Sequence, residues 1–180
     1  MNQNNVMLPH NESHYRVRRL HEDEMIDPKQ LTEYIIRPVL KDIELWSEPA
    51  ERLVLGTACQ ESGCGHWLHQ VGGGPALGIF QMEPASHDDI WTNFLKFHPE
   101  LVTKVLRWCV NLNHGANEMI FNLAYATIMC RLLYRRVAES IPDTLMGQAE
   151  YWKNHYNTAL GAGTVEQYIA NWNRFNAGMV

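Results

Sequence analysis

The sequence predicts a mainly α fold. Alternating apolar runs of period two are nearly absent, and capping-type helix starts recur along the chain. One segment, 118–136, is apolar on nearly every side, as a helix at the centre of a domain would be. With 180 residues, 46% of them hydrophobic and 19% charged, the chain suits a single domain with a sizeable core.

The elements follow in order. Residues 1–26 are polar and lack periodicity, so they read as an N-terminal extension to a single domain over 27–180. Asp27-Pro28-Lys29-Gln30 is a helix start, with a capping Asp, a Pro at the first position and a glutamine three residues after the cap. Leu31, Tyr34, Ile35, Val39 and Ile43 form its apolar stripe, and Pro38 predicts a kink. Ser47-Glu48-Pro49 opens a second helix, which carries Leu53, Val54 and Ala58 and ends at Glu61. Five glycines and Pro75 make 63–77 a loop, with at most a short hairpin near 70–82. Glu83-Pro84 starts another helix, where Asp88 and Asp89 are read as acids favoured by the first-turn dipole. Helical periodicity continues through Ile90, Trp91, Phe94 and Leu95, and resumes after Pro99 with Leu101, Val105 and Leu106. After a break at 111–115 comes 118–136, expected to be the longest helix. Asp143 is the expected cap of a helix reaching Tyr156, and Thr164-Val165-Glu166-Gln167 is a capping-box start for a last helix through about Trp172.

Charge and composition exclude several function classes. The formal charge is −5, and the densest basic run, Arg16-Val17-Arg18-Arg19, is too short to track a phosphate backbone. No apolar stretch approaches the roughly 18 residues that span a bilayer, and residues 1–5 lack the basic and apolar pattern of a secretory signal. Cys59, Cys64, Cys109 and Cys130 do not make a disulfide framework at this length and are read as reduced packing residues.

Glu61 is the leading chemical candidate. It closes the apolar run 53–60 and is followed by Ser62 and the helix-stopping Gly63. A carboxyl group at the end of a buried helix is poorly solvated, so its pKa rises and it can remain a proton donor near neutrality. Seventeen positions on, Gly78-Ile79-Phe80-Gln81-Met82 combines a glycine that permits close backbone approach with an amide that offers both a donor and an acceptor. Two further segments stand out. Phe121-Asn122-Leu123-Ala124-Tyr125 places an amide that must find a partner inside an apolar run; a structural pin is the favoured reading over a cleft contact. Tyr156-Asn157 precedes Gly161-Ala162-Gly163.

These four segments, in this order and spanning about 100 residues, resemble the lysozyme-like superfamily, above all the catalytic domain of soluble lytic transglycosylases and its bacteriophage relatives. The resemblance leaves residues 1–47 uncovered. It implies a lysozyme-like helical domain of transglycosylase or goose type. Its substrate would be peptidoglycan glycan strands, cleaved at the MurNAc–GlcNAc β-1,4 bond with Glu61 as acid and then base. The implied substrate contacts are Ser62, Trp67, Gly78, Phe80, Gln81, Met82, Tyr156 and Asn157, with no cofactor. In the family the tyrosine reaches the catalytic glutamate; here Thr158 and Ala159 displace the glycine that normally follows. The 63–77 loop, where goose-type lysozymes place second acids, holds no Asp or Glu. The expected product is therefore a 1,6-anhydromuropeptide, with hydrolysis through Glu83 as second acid the alternative. A chain of this kind, made in a cytoplasm without a signal, would reach the wall by holin release or virion delivery, with other virion or lysis proteins as partners. The reading from another class is a non-catalytic wall-binding virion protein.

Metal binding is the rival chemistry. Cys59, Cys64, His66 and His69 lie close together, but their spacing matches no zinc-site pattern, so no metal is expected. Of the six tryptophans, Trp67 in the glycine-rich loop is the one expected at a sugar face; the others read as core.

Overall fold

Capping side chains and prolines set where the helices begin. The computed structural model describes residues 25–111, 113–157 and 161–177, and it is mainly helical. Asp27 accepts a hydrogen bond from the Gln30 amide at 2.9 Å and starts α1, Pro28–Leu31. A π turn, Thr32–Ile36, leads into α2, Arg37–Asp42. Pro38 has no N–H and its ring crowds the carbonyl one turn back, and the chain answers with a widened turn in which the Arg37 amide donates to Thr32 five residues earlier. The extra residue also shifts the apolar stripe: Tyr34 is 71% exposed, while Ile36, Val39 and Leu40 are buried.

Helix α3, Glu48–Ser62, is the longest described element. Ser47 caps it by accepting from the Ala50 amide at 3.2 Å, and Gly63 ends it in the left-handed region at φ 59°. Ten of its 15 residues are buried because it packs against three other helices: α7, Leu123–Arg135; α8, Leu145–Trp152; and α9, Val165–Asn176. Gly56 is where α9 crosses, since a Cβ there would meet the Tyr168 hydroxyl.

The glycine-rich segment is a loop held by two isolated bridges, His69 with Leu77 and Leu77 with Met82, which is all that stands for the expected hairpin among the described residues. Helices α4, Pro84–Asn93, and α5, Pro99–Leu106, follow. The expected helix over 118–136 is broken in two. A short α6, Glu118–Phe121, stops at Asn122, which is extended at φ −107° and ψ 92° and caps α7 by accepting from the Tyr125 amide at 3.0 Å. The Asn122 amide also donates to the Trp108 carbonyl at 2.7 Å and to Glu118 at 2.8 Å. Asn122 is a structural pin, and the break follows from an Asx side chain competing with the helix for backbone partners.

Two further caps differ from expectation. Thr144, not Asp143, starts α8 by accepting from the Gly147 amide, and α8 gives way at Trp152 to a second π turn, Lys153–Asn157. The Thr164–Gln167 capping box opens α9 as expected, but the helix continues past Trp172 to Asn176. Asp88 and Asp89 lie beyond the first turn of α4; they engage His87 at 2.8 Å and Arg136 at 2.6 Å. Met25 and Ile26 pack on the core, and the Ile26 amide donates to the Cys64 carbonyl at 3.0 Å. The expected extension otherwise falls on residues 1–24, outside the described residues. No described helix is long and apolar enough to cross a membrane.

Candidate active site

The last turn of α3, the loop after it and the π turn after α8 enclose a cavity of about 560 Å³. Glu61 lines it. The buried face of α3 takes the Glu61 side chain out of bulk water, and Trp152, itself fully buried, donates its indole N–H to Glu61 Oε1 at 2.8 Å. Burial pushes the carboxyl up and the indole bond holds it down; burial wins, and the pKa stands at about 7 against an ordinary 4.5. The group therefore carries a proton for a substantial fraction of the time at neutral pH, as a general acid must.

The wall opposite comes from residues 67–86. Trp67, half exposed, and Gln81 and Met82 line the cavity. Gln81 sits at φ 46°, a left-handed conformation uncommon outside glycine, and its amide donates to the Gly78 carbonyl at 2.8 Å and the Trp67 carbonyl at 3.3 Å. Those bonds tie the two loops together and leave the amide oxygen without a partner among the described residues. Gln81 can accept from a hydroxyl or amide, but its donors are committed to the scaffold.

Tyr156 and Asn157 line the same cavity. The Tyr156 hydroxyl donates to the Phe80 carbonyl at 2.8 Å rather than to Glu61. Burial raises its pKa well above the usual phenol range, with nearby Cys130 and Glu61 adding to the effect, so it stays a neutral neighbour of the acid. Asn157 is oriented by Lys153, whose ammonium donates to its Oδ1 at 2.7 Å and to the Gly161 carbonyl at 2.8 Å.

Three sequence candidates serve the scaffold and do not line the cavity. Ser62 is buried and donates to the Ile79 carbonyl at 2.6 Å, while accepting from the Gly65 amide at 2.8 Å. It staples the end of α3 to the 78–82 segment. Gly78, at φ 70°, allows a close approach, but the neighbour is the Met119 carbonyl rather than an open cleft. Phe80 is 1% exposed and packs in the core, and only its carbonyl reaches Tyr156. The signal that a polar or glycine residue sits beside a cleft residue does not distinguish the cleft's wall from the framework behind it.

Glu83 behaves differently from its sequence reading. It occupies the N-cap position of α4 with no side-chain capping bond, is exposed, and lines the same cavity as Glu61. Asp88 and Asp89 do not line it. The cavity thus brings together one buried carboxyl and one solvated carboxylate. Comparison with protein-family models, curated proteins and solved structures returns no match for this chain.

Trp152 is the residue that sequence reasoning missed, having been read as core like most of its kind. It is core, yet its one polar atom serves the acid across 91 residues of sequence. Ser86 and Leu133 also line the cavity, and nothing in their local sequence marks them. Cys59 and Cys64 are free thiols whose sulfurs lie 2.9 Å apart behind the Glu61 turn. Their proposed partners His66 and His69 do not join them: among the described residues no three His, Cys, Asp or Glu groups converge as a metal site would require.

Proposed function

We propose that this chain is an enzyme that cleaves the MurNAc–GlcNAc β-1,4 bond of peptidoglycan, with Glu61 as the proton donor. The observation that carries the reading is the Glu61 carboxyl, held near pKa 7 by burial at the wall of a cavity large enough for sugar rings. Glu61 protonates the glycosidic oxygen as the bond to the anomeric carbon breaks, and the resulting carboxylate is stabilised by the Trp152 N–H. It then takes a proton from the attacking oxygen. Trp67 offers its exposed indole face to a sugar, and the free Gln81 oxygen accepts from a hydroxyl or N-acetyl N–H. The specificity for peptidoglycan rests on the resemblance of the Glu-Ser, Gly-Ile-Phe-Gln-Met and Tyr-Asn segments to transglycosylases. So does the expectation that the protein is a bacteriophage lysis or entry component.

The leading reaction outcome is non-hydrolytic: the muramic 6-hydroxyl attacks the anomeric carbon after Glu61 deprotonates it, closing a 1,6-anhydro ring. One observation favours hydrolysis as a second reading. Glu83 is not occupied by capping, and a neutral buried acid paired with a solvated carboxylate is the division of labour that glycoside hydrolases use.

Mass spectrometry of digested peptidoglycan separates the outcomes. The expected result is anhydromuropeptides as the main product, with Glu83→Gln retaining activity within a few-fold. Reducing-end muropeptides, together with loss of activity in Glu83→Gln, would make the chain a hydrolase. No cleavage of purified peptidoglycan by the wild-type protein would leave the non-catalytic wall-binding reading standing.

A further inference from the structure

Buried charges in folded proteins are paired or saturated with hydrogen bonds, because leaving an ion unpaired away from water is costly. Two of this protein's buried ions obey the rule. Glu51 is held by Arg37 at 2.8 and 2.6 Å and by the Trp46 indole at 2.7 Å. Glu118 accepts from the Val110 amide at 2.6 Å and from Asn122 at 2.8 Å. Arg131 does not. It is 9% exposed, and its only protein partner among the described residues is the Leu45 carbonyl, which takes the Nε–H at 3.1 Å. Among the described residues no carboxylate pairs with the rest of the guanidinium. Its nearest charged influence is another cation, Arg135, one turn along α7.

Arg131 opens on a second cavity, of about 380 Å³, on the α7 flank away from Glu61. Arg135 lines it too, together with Ser47, Ser140 and Tyr151. Ser47 is the cap of α3, so the first turn of that helix borders the same space. The one carboxylate at the rim among the described residues, Glu139, is directed to His155 at 3.2 Å rather than to either arginine.

We propose that this cavity is an oxyanion-binding site, which takes a carboxylate or phosphate group between Arg131 and Arg135. The planar guanidinium fork of Arg131, fixed at its Nε by Leu45, presents its remaining N–H groups in the geometry that matches two oxygens of such a group. Arg135 supplies further positive potential. The proposal is independent of the glycan-cleaving reading, because neither arginine lines the Glu61 cavity.

The test is an NMR titration of the full chain at constant ionic strength. It follows the Arg131 Nε–H signal, which the bond to Leu45 protects from exchange. Inorganic phosphate and N-acetylalanine are the two probes. At least one should shift that signal saturably, with a Kd on the order of 1–10 mM, and chloride should not. Phosphate alone would identify a phosphate site and N-acetylalanine alone a peptide-carboxylate site; both results sustain the proposal. Arg135→Gln, at an exposed position that leaves the fold intact, should weaken binding about tenfold, the equivalent of one charge-assisted contact. Arg131→Gln, where its spectrum remains dispersed, should abolish binding. Absence of a saturable shift with both probes would overturn the proposal, as would an Arg135→Gln titration identical to wild type.

Discussion

Glu61 and Glu118 are both glutamates withdrawn from water at helix ends, and the protein treats them in opposite ways. Glu118 sits at the start of α6 and is surrounded by donors: the Val110 amide at 2.6 Å, the Asn111 amide at 3.4 Å and the Asn122 side chain at 2.8 Å. Its charge is built into the joint between α5, α6 and α7. Glu61 sits at the end of α3, the terminus whose dipole repels a negative charge, and has a single side-chain donor among the described residues. One carboxylate is saturated and locked. The other is left short of donors, beside an open cavity, with its proton retained to about pH 7. Glu118 is the more deeply buried of the two, so what separates the structural acid from the candidate catalytic one here is the number of donors around it among the described residues.

The largest effect that would test this contrast is at Glu61. The Glu61→Gln amide keeps the shape and cannot deliver a proton, so muropeptide release should fall by about 10²–10⁴-fold. Stability should move the other way. Because the folded pKa of about 7 exceeds the ordinary 4.5, the folded state holds the proton more tightly than the unfolded chain does. The favourable contribution of that proton is complete below about pH 4.5 and is lost as pH rises through 7, above which a buried ion opposes folding. Glu61→Gln should therefore raise stability at about pH 8 by roughly 2–3 kcal/mol and change little at pH 4, as measured by urea unfolding. A variant that is inactive but not stabilised at pH 8 would mean that Glu61 is satisfied by donors, as Glu118 is.

Glu118→Gln should have the reverse profile. An amide offers one acceptor oxygen to three donors and turns its own N–H₂ towards them, so the fold should lose about 1.5–3 kcal/mol. Activity per folded molecule should stay within a few-fold of wild type, since Glu118 does not line the Glu61 cavity. Loss of activity without loss of stability would dissolve the contrast.

The helices were largely legible because their signals are local. Asp27, Ser47 and Thr164 cap as their types and spacings require, and Gly63 stops α3 where a left-handed residue is needed. Glu61 was legible because a helix-terminal acid after an apolar run is a local pattern too. The failures share a cause: each depends on a partner distant in sequence or on competition between near-equal local choices. Asn122 breaks a strongly apolar run because Trp108 and Glu118 are there to receive its amide. Ser62 turns inward because the Ile79 carbonyl is within reach, and Glu83 is free because its side chain makes no capping bond. Arg131 gave no signal at all: a lone arginine in an apolar helix reads as an exposed stem, and only the folded chain reveals that its charge has no counter-ion among the described residues.

The smallest effect concerns the one bond by which Glu61 still resembles Glu118. Trp152 donates to the carboxylate form, so it pulls the Glu61 pKa down against the larger push from burial. Trp152→Phe keeps an aromatic ring in the core but removes the N–H. The carboxylate then loses its one side-chain donor among the described residues, and the Glu61 pKa should rise further above 7. With Glu61 as the proposed acid, activity requires its protonated form, so the alkaline limb of the pH–rate profile should move upward, by about one pH unit if the bond is worth a typical charge-assisted hydrogen bond. The maximal rate should fall as well, because the same N–H stabilises the carboxylate formed when the proton is delivered. A purely structural role for Trp152 would lower the amount of folded protein and leave the limb in place. An alkaline limb that shifts downward, or does not move in a folded variant, would show that the indole bond does not control the Glu61 proton.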